Sequence, residues 1–186
     1  MSGHTRWLAV IAVLALAVLS GCLSSVTGSG DETMGPQTIE TPSECQSGET
    51  MSYFDYPSDL PSQASGFELS ASKGSVNSGE SIEFELTNVA NERKTTGTRH
   101  RYALQRHVAD RWETVTRFRE GRSGFNATAV PHEPGTGFTW SFRMSASGFS
   151  EGKFVVCEQL PAGEYRFIYE APLALAVEFT LDDRNG

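Results

Sequence analysis

An all-β domain, built as an antiparallel β-sandwich of about seven strands, is the fold this sequence predicts, and three observations predict it. Apolar and polar residues alternate with period two in run after run between residues 67 and 181, as strands with one buried and one wet face require. Turn signals rich in glycine, proline and Asn/Asp separate those runs. No segment shows a comparable period of 3.6.

The runs follow in order. Phe67, Leu69 and Ala71 alternate with Glu68, Ser70 and Ser72; Ile82, Phe84 and Leu86 alternate with Glu83, Glu85 and Thr87. Arg99 to His107 reads as a third strand, with Tyr102 and Leu104 on one face and Arg101, Ala103 and Gln105 on the other. A fourth run extends from Trp112 to Phe118. Phe138, Trp140, Phe142 and Met144 share a face of the fifth, which places Trp140 in the core between Phe138 and Phe142. Tyr165 to Tyr169 is the sixth, and the last puts Leu173, Leu175, Val177, Phe179 and Leu181 on one side. The turns fall at 73–80, Asn91-Glu92, Ala109-Asp110, 120–124, 134–137 and 161–163. Each sheet must hide its apolar face, and two sheets face to face do so. A barrel of similar strand number is the alternative.

The amino-terminal region carries a different signal. Arg6 precedes 13 continuous apolar residues, Trp7 to Leu19, and then Leu19-Ser20-Gly21-Cys22. A membrane-spanning helix needs about 20 residues, so a basic start, a short apolar run and small residues read as an export signal, residues 1–21. Residues 22–66 follow as a flexible acidic tether rich in Ser, Thr, Gly and Pro, with seven acidic residues and no Lys or Arg. Residues 67–181 form the sandwich and 182–186 a tail. The segment Leu19 to Cys22 resembles the lipobox of exported lipoproteins. That resemblance implies lipidation of Cys22, cleavage before it, and a location at the extracytoplasmic face of the cell membrane, with membrane lipid as a partner. Two acyl chains would make such attachment durable.

Three cysteines less Cys22 leave Cys45 and Cys157. Outside the cytoplasm such a pair can form a disulfide, and free thiols are the alternative. Without residues 1–21 the chain has 14 Lys and Arg against 23 Asp and Glu. That excess argues against nucleic acid as a partner. An acidic exported chain with a Ser/Thr-rich stretch resembles the secreted proteins of salt-loving archaea, although an acid-biased surface is equally ordinary in a bacterial envelope protein.

Two stretches carry a resemblance of fold. Leu160-Pro-Ala-Gly-Glu-Tyr165 resembles the turn before the sixth strand of immunoglobulin-like domains, where a tyrosine hydroxyl ties back to the backbone, the tyrosine corner. The order Gly79-Glu80-Ser81-Ile82-Glu83-Phe84-Glu85-Leu86-Thr87-Asn88, Tyr102-Ala103-Leu104-Gln105-Arg106, Trp112, Pro134-Gly135 and Leu160 to Phe167 resembles bacterial and archaeal Ig-like domains of lipoproteins. The resemblance covers residues 67–181 and implies an immunoglobulin-like sandwich with Tyr165 as the corner. It departs from antibody domains in lacking the inter-sheet cysteine pair, and it implies no particular ligand.

Chemistry is sparse. His100 and His107, seven apart on one strand, face opposite sides and share no metal. No H-x-x-x-H, C-x-x-C or G-x-S-x-G motif occurs. The expectation is a non-catalytic interaction domain without cofactor or metal. The rivals are an exported enzyme with a polar site assembled from loops around His132 or His100, and a purely structural envelope subunit. Residues 92–122 hold nine of the 14 basic residues against four acids. Arg99 with Arg101, and Arg117 with Arg119, each read as sharing a strand face, brought alongside by a hairpin at Ala109-Asp110. This cationic stripe is either a solvated face balanced by the acidic tether and the Glu-rich second strand, or a docking site whose acidic partner is the stalk in cis, through Asp55 and Asp59, or an acidic envelope polymer or protein. Asn126-Ala127-Thr128 fits the N-glycosylation acceptor pattern.

Overall fold

The computed structural model describes Cys45 and residues 51–52, 56–119, 121–122, 124–170 and 173–183. The expected export signal, Cys22 and the stalk up to residue 44 lie outside the described residues. In chain order the strands are β1 (Met51–Ser52), β2 (Gln63–Ala64), β3 (Phe67–Ala71), β4 (Ser75–Asn77), β5 (Ser81–Asn88), β6 (Lys94–Thr96) and β7 (Tyr102–Val108). They continue with β8 (Arg111–Thr114), β9 (Thr116–Phe118), β10 (Val130–His132), β11 (Gly137–Arg143), β12 (Phe154–Val156), β13 (Gly163–Glu170) and β14 (Ala174–Asp182). A short helix, α1 (Ala146–Phe149), lies between β11 and β12, capped by the Ser145 hydroxyl, which accepts from the Gly148 amide.

Two main sheets form the sandwich, with strand orders β11-β5-β3-β2 and β4-β14-β13-β7-β8. β5 shows why. Its Ile82, Phe84 and Leu86 are buried while Glu83 and Glu85 face water, so the strand is amphipathic across its pleat. β11 pairs with it, Trp140 opposite Phe84. Across the interior, the Phe84 ring stacks on Phe167 of β13 at 4.2 Å between centroids, and Trp140 packs against the same ring at 5.3 Å. Each such aromatic pair adds about 0.5–1.5 kcal/mol beyond the area it buries. Gly137 opens β11 because a Cβ there would collide with the Leu86 carbonyl.

The observed strands depart from the expected ones in five places. The strand expected from Arg99 begins only at Tyr102, because the Arg101 amide closes a turn onto the Thr98 carbonyl. The run from Trp112 to Phe118 is two strands. β8 pairs with β7, whereas β9 pairs with β12 and β1 in a separate three-stranded sheet. Leu173 lies outside β14 and is exposed; β14 starts one residue later. β4 runs parallel to β14 at the sheet edge. β7 and β13 do not alternate: Ala103, Gln105, Arg166 and Ile168 are buried like their inward-facing neighbours.

That last departure identifies what lies on the outer face. Residues 56–64, read as tether, belong to the domain. The Pro61 carbonyl accepts from the Ala176 amide and the Ser62 carbonyl from the Leu69 amide, at 2.9 and 2.8 Å, so this strap bridges the two sheets.

Candidate functional site

Arg166 organises the strap. It stands on the outer side of β13, between the inward-facing Tyr165 and Phe167, yet only 1% of it is exposed. Its guanidinium lies 4.5 Å over the Trp112 ring. Nε donates to Gln105 Oε1 at 2.8 Å, Nη1 to the Ser58 carbonyl at 2.6 Å and Nη2 to the Pro57 carbonyl at 2.9 Å. Burial lowers its pKa, and Glu178, Asp59 and Tyr56 oppose that shift. The guanidinium fork meets planar acceptors on three sides, a task lysine could not perform. The sequence offered no sign of this role, because arginine on an outer strand face ordinarily points to solvent.

A second attachment joins the stalk to the body. Cys45 and Cys157 form a disulfide with Cα atoms 5.5 Å apart and a sequence separation of 112. Between the two attachments β1 pairs with β9, Ser52 opposite Arg117.

The four arginines read as a stripe are dispersed. Arg99 precedes β7, and its Nη2 donates to the Thr139 carbonyl at 2.7 Å. Arg101 lies 4.8 Å from the Phe125 ring centroid. Arg117 is exposed on β9, and Arg119 follows that strand with Nε donating to the Phe154 carbonyl at 3.1 Å. A hairpin does form at Ala109-Asp110, with Val108 opposite Arg111. It aligns β7 with β8 and leaves Arg117 and Arg119 in another sheet, which breaks the stripe.

The histidines are scattered too. His132 is buried on β10, with Nε2 2.7 Å from the Thr96 hydroxyl and its ring edge-on to Phe67 and Phe138. Burial lowers its pKa. His107 Nδ1 lies 3.2 Å from Glu164. His100 is exposed at the mouth of a cavity of about 390 Å³ shared with Arg99, Tyr102, Trp140, Ser141 and Glu151. Among the described residues no three His, Cys, Asp or Glu side chains are placed to hold a metal. No helix among them is long and apolar enough to cross a membrane. Asn126 is exposed in an irregular segment, with Ala127 and Thr128 lining an open groove of about 300 Å³ beside Arg101 and Glu170.

The loop into β13 carries one more tie. The Tyr165 hydroxyl donates to the Pro161 carbonyl at 2.7 Å, four residues upstream, and burial pushes its pKa up to about 12. With two facing sheets and this tied-back tyrosine in place, a model of the bacterial Ig-like domain matches residues 63–182.

The chain belongs to the bacterial Ig-like domain family.

The match begins at β2 and so includes the end of the strap. No curated protein matches the chain. Among solved structures, a mutant β-glucosidase from Listeria innocua in complex with laminaribiose shares 20% identity over 62% of this chain and 16% of its own, with a TM-score of 0.32. A β-glucosidase from Erythrobacter marinus shares 17% over 63% and 15%, with a TM-score of 0.33. This Ig-like chain therefore spans under one-sixth of the length of those enzymes, and at such scores the likeness adds nothing to the fold.

Proposed function

We propose that the protein is an extracytoplasmic lipoprotein, anchored through Cys22, that presents its Ig-like domain as a non-catalytic interaction module. The observation that carries this reading is the fate of the cysteines. Cys45 and Cys157 bond to each other, which leaves Cys22, behind its apolar run, as the cysteine available to lipid. A disulfide also suits an exported protein. The non-catalytic part is supported by the separation of the described histidines His100, His107 and His132, of which His107 and His132 are engaged in local contacts. Intact-mass analysis of detergent-extracted protein tests the anchor. We expect a mature chain starting at Cys22 and carrying acyl chains, and Cys22→Ser should yield an unacylated precursor or released protein. An unacylated wild-type chain would overturn the reading.

An acidic envelope polymer or protein is proposed as the partner of Arg99, Arg101, Arg117 and Arg119, of which Arg117 stands exposed on β9; the Asp59 carboxylate acts on Arg166, which is outside that set. Asn126, exposed beside the groove, is proposed as a glycan acceptor, tested by a mass shift lost in Asn126→Gln. The enzyme reading has one observation in its favour, the polar cavity at His100, and a hydrolase screen insensitive to His100→Ala would retire it.

A further inference from the structure

β11 is an outer strand of the four-stranded sheet, and it borders the 390 Å³ cavity. The Met144 amide donates to the Glu80 carbonyl and the Asn88 amide to the Thr136 carbonyl. In an antiparallel ladder such bonded pairs recur every second residue, so Phe138, Trp140 and Phe142 direct their backbone groups to β5. Thr139 and Ser141 turn theirs outward. Arg99 takes the Thr139 carbonyl, and the Trp140 indole donates to the Arg99 carbonyl at 2.9 Å. The turn before β7 is thereby fastened along part of the edge, while Ser141 borders the cavity.

Tyr102 forms the cavity floor. Its ring packs on Phe142, Phe154 and Phe167 at 5.2, 4.7 and 5.6 Å, and only 4% of the residue is exposed. Its hydroxyl makes no hydrogen bond to another described residue and is not among the fully buried polar atoms, so it is open to whatever occupies the cavity. Burial keeps this phenol protonated; Glu151 reinforces that and Arg99 opposes it. A neutral hydroxyl therefore lies within electrostatic reach of a carboxylate and a guanidinium supplied by separate parts of the chain.

We propose that this cavity binds a free α-amino acid with an apolar side chain. Its ammonium would meet Glu151, its carboxylate Arg99, and the Tyr102 hydroxyl would complete the polar contacts, with the side chain against the rings of Trp140 and Phe142. The charges select this class. A simple anion meets Glu151, a simple cation meets Arg99, and a neutral polyol compensates neither charge, whereas a dipolar ion satisfies both signs at once. The cavity volume lies near the lower end of the range of small-molecule pockets, about 300–1,000 Å³. This inference names a ligand for the interaction domain and holds whether or not Cys22 carries lipid.

Leucine titrated into the isotopically labelled full-length protein in detergent tests it by amide chemical shifts. We expect saturable shifts at His100, Ser141 and Gly152. Tyr102→Phe keeps the ring and should weaken binding at least about fivefold, the size of one hydrogen bond. Glu151→Gln, at an exposed position, should weaken it similarly with an unchanged melting temperature, and it supplies the test if Tyr102→Phe unfolds. N-acetyl-leucine and leucine amide should bind more weakly than leucine. Equal binding of either, preferential binding of glycerol, or no shift with leucine up to its solubility would each overturn the proposal.

Discussion

Arg166 shows how much one side chain can organise. Three carbonyl-type acceptors and an indole face converge on it, and each hydrogen bond to a charged group is worth roughly 1.5–3 kcal/mol where no substitute is at hand. Water can solvate the Pro57 and Ser58 carbonyls after the strap lifts, which offsets part of the loss. Arg166→Met should therefore destabilise the domain by about 2–4 kcal/mol in urea melts, and it should speed proteolysis at residues 57–61. Arg166→Lys should recover little, since an ammonium cannot span three planar acceptors. His132 makes a pH prediction. Its pKa is lowered from 6.5 by burial, so the unfolded chain binds the proton more readily than the folded one. Its contribution is full above about pH 6.5 and is lost as pH falls below that value. Unfolding free energies at pH 7.5 and 5.5 should differ more in the wild type than in His132→Gln, and equal slopes would remove His132 as the cause.

At the scale of elements, the β7–β8 hairpin carries a strained turn. Ala109 and Asp110 have φ of 46° and 64°, the left-handed values that a two-residue turn needs at both positions to match strand twist. Alanine is poorly suited to that region. Ala109→Asn combined with Asp110→Gly should stabilise the domain by about 1 kcal/mol, visible as a higher urea midpoint at unchanged slope. A fall in the midpoint would show that the Asp110 side chain has a role the hairpin requires. The neighbouring element, β9, shows why one apolar run became two strands. At Val115 the chain leaves β8; the Val115 amide donates to the Leu104 carbonyl, and the Thr116 hydroxyl accepts from the Leu104 amide at 3.1 Å. These two contacts let the chain change sheets without stranding a backbone group. An alternation pattern carries no mark of such a crossing, because both sheets ask for period two.

For the whole molecule, the Cys45–Cys157 bond and the strap together decide where the stalk meets the domain. Closing a loop with a sequence separation of 112 removes chain entropy from the unfolded state worth about 4–5 kcal/mol, before strain and residual structure subtract. Cys45→Ser with Cys157→Ser should lower stability by up to that amount, measured against the oxidised wild type in the same urea series. A loss below about 1 kcal/mol would mean that the strap and Arg166 hold the stalk without the bond.

Sequence alone determined the sandwich and its core. Phe67, Ile82, Phe84, Trp140 and Phe179 are all buried, because burial of one strand face is a local property written in period two. It also identified the cysteine pair by elimination and the tied-back tyrosine by a local motif. The tertiary structure alone decided which outer faces are covered. Strap 56–64 is held by Arg166 of β13, whose guanidinium also takes Gln105 of β7, so Gln105 and Arg166, polar by any local reading, are interior residues. It alone dispersed the arginines, since Arg99 and Arg119 found backbone carbonyls 40 and 35 residues away. The physical reason is the same in each case. Alternation records whether a residue faces its own sheet's core, but the partner that satisfies a guanidinium or covers an outer face comes from distant chain, and no local pattern encodes it.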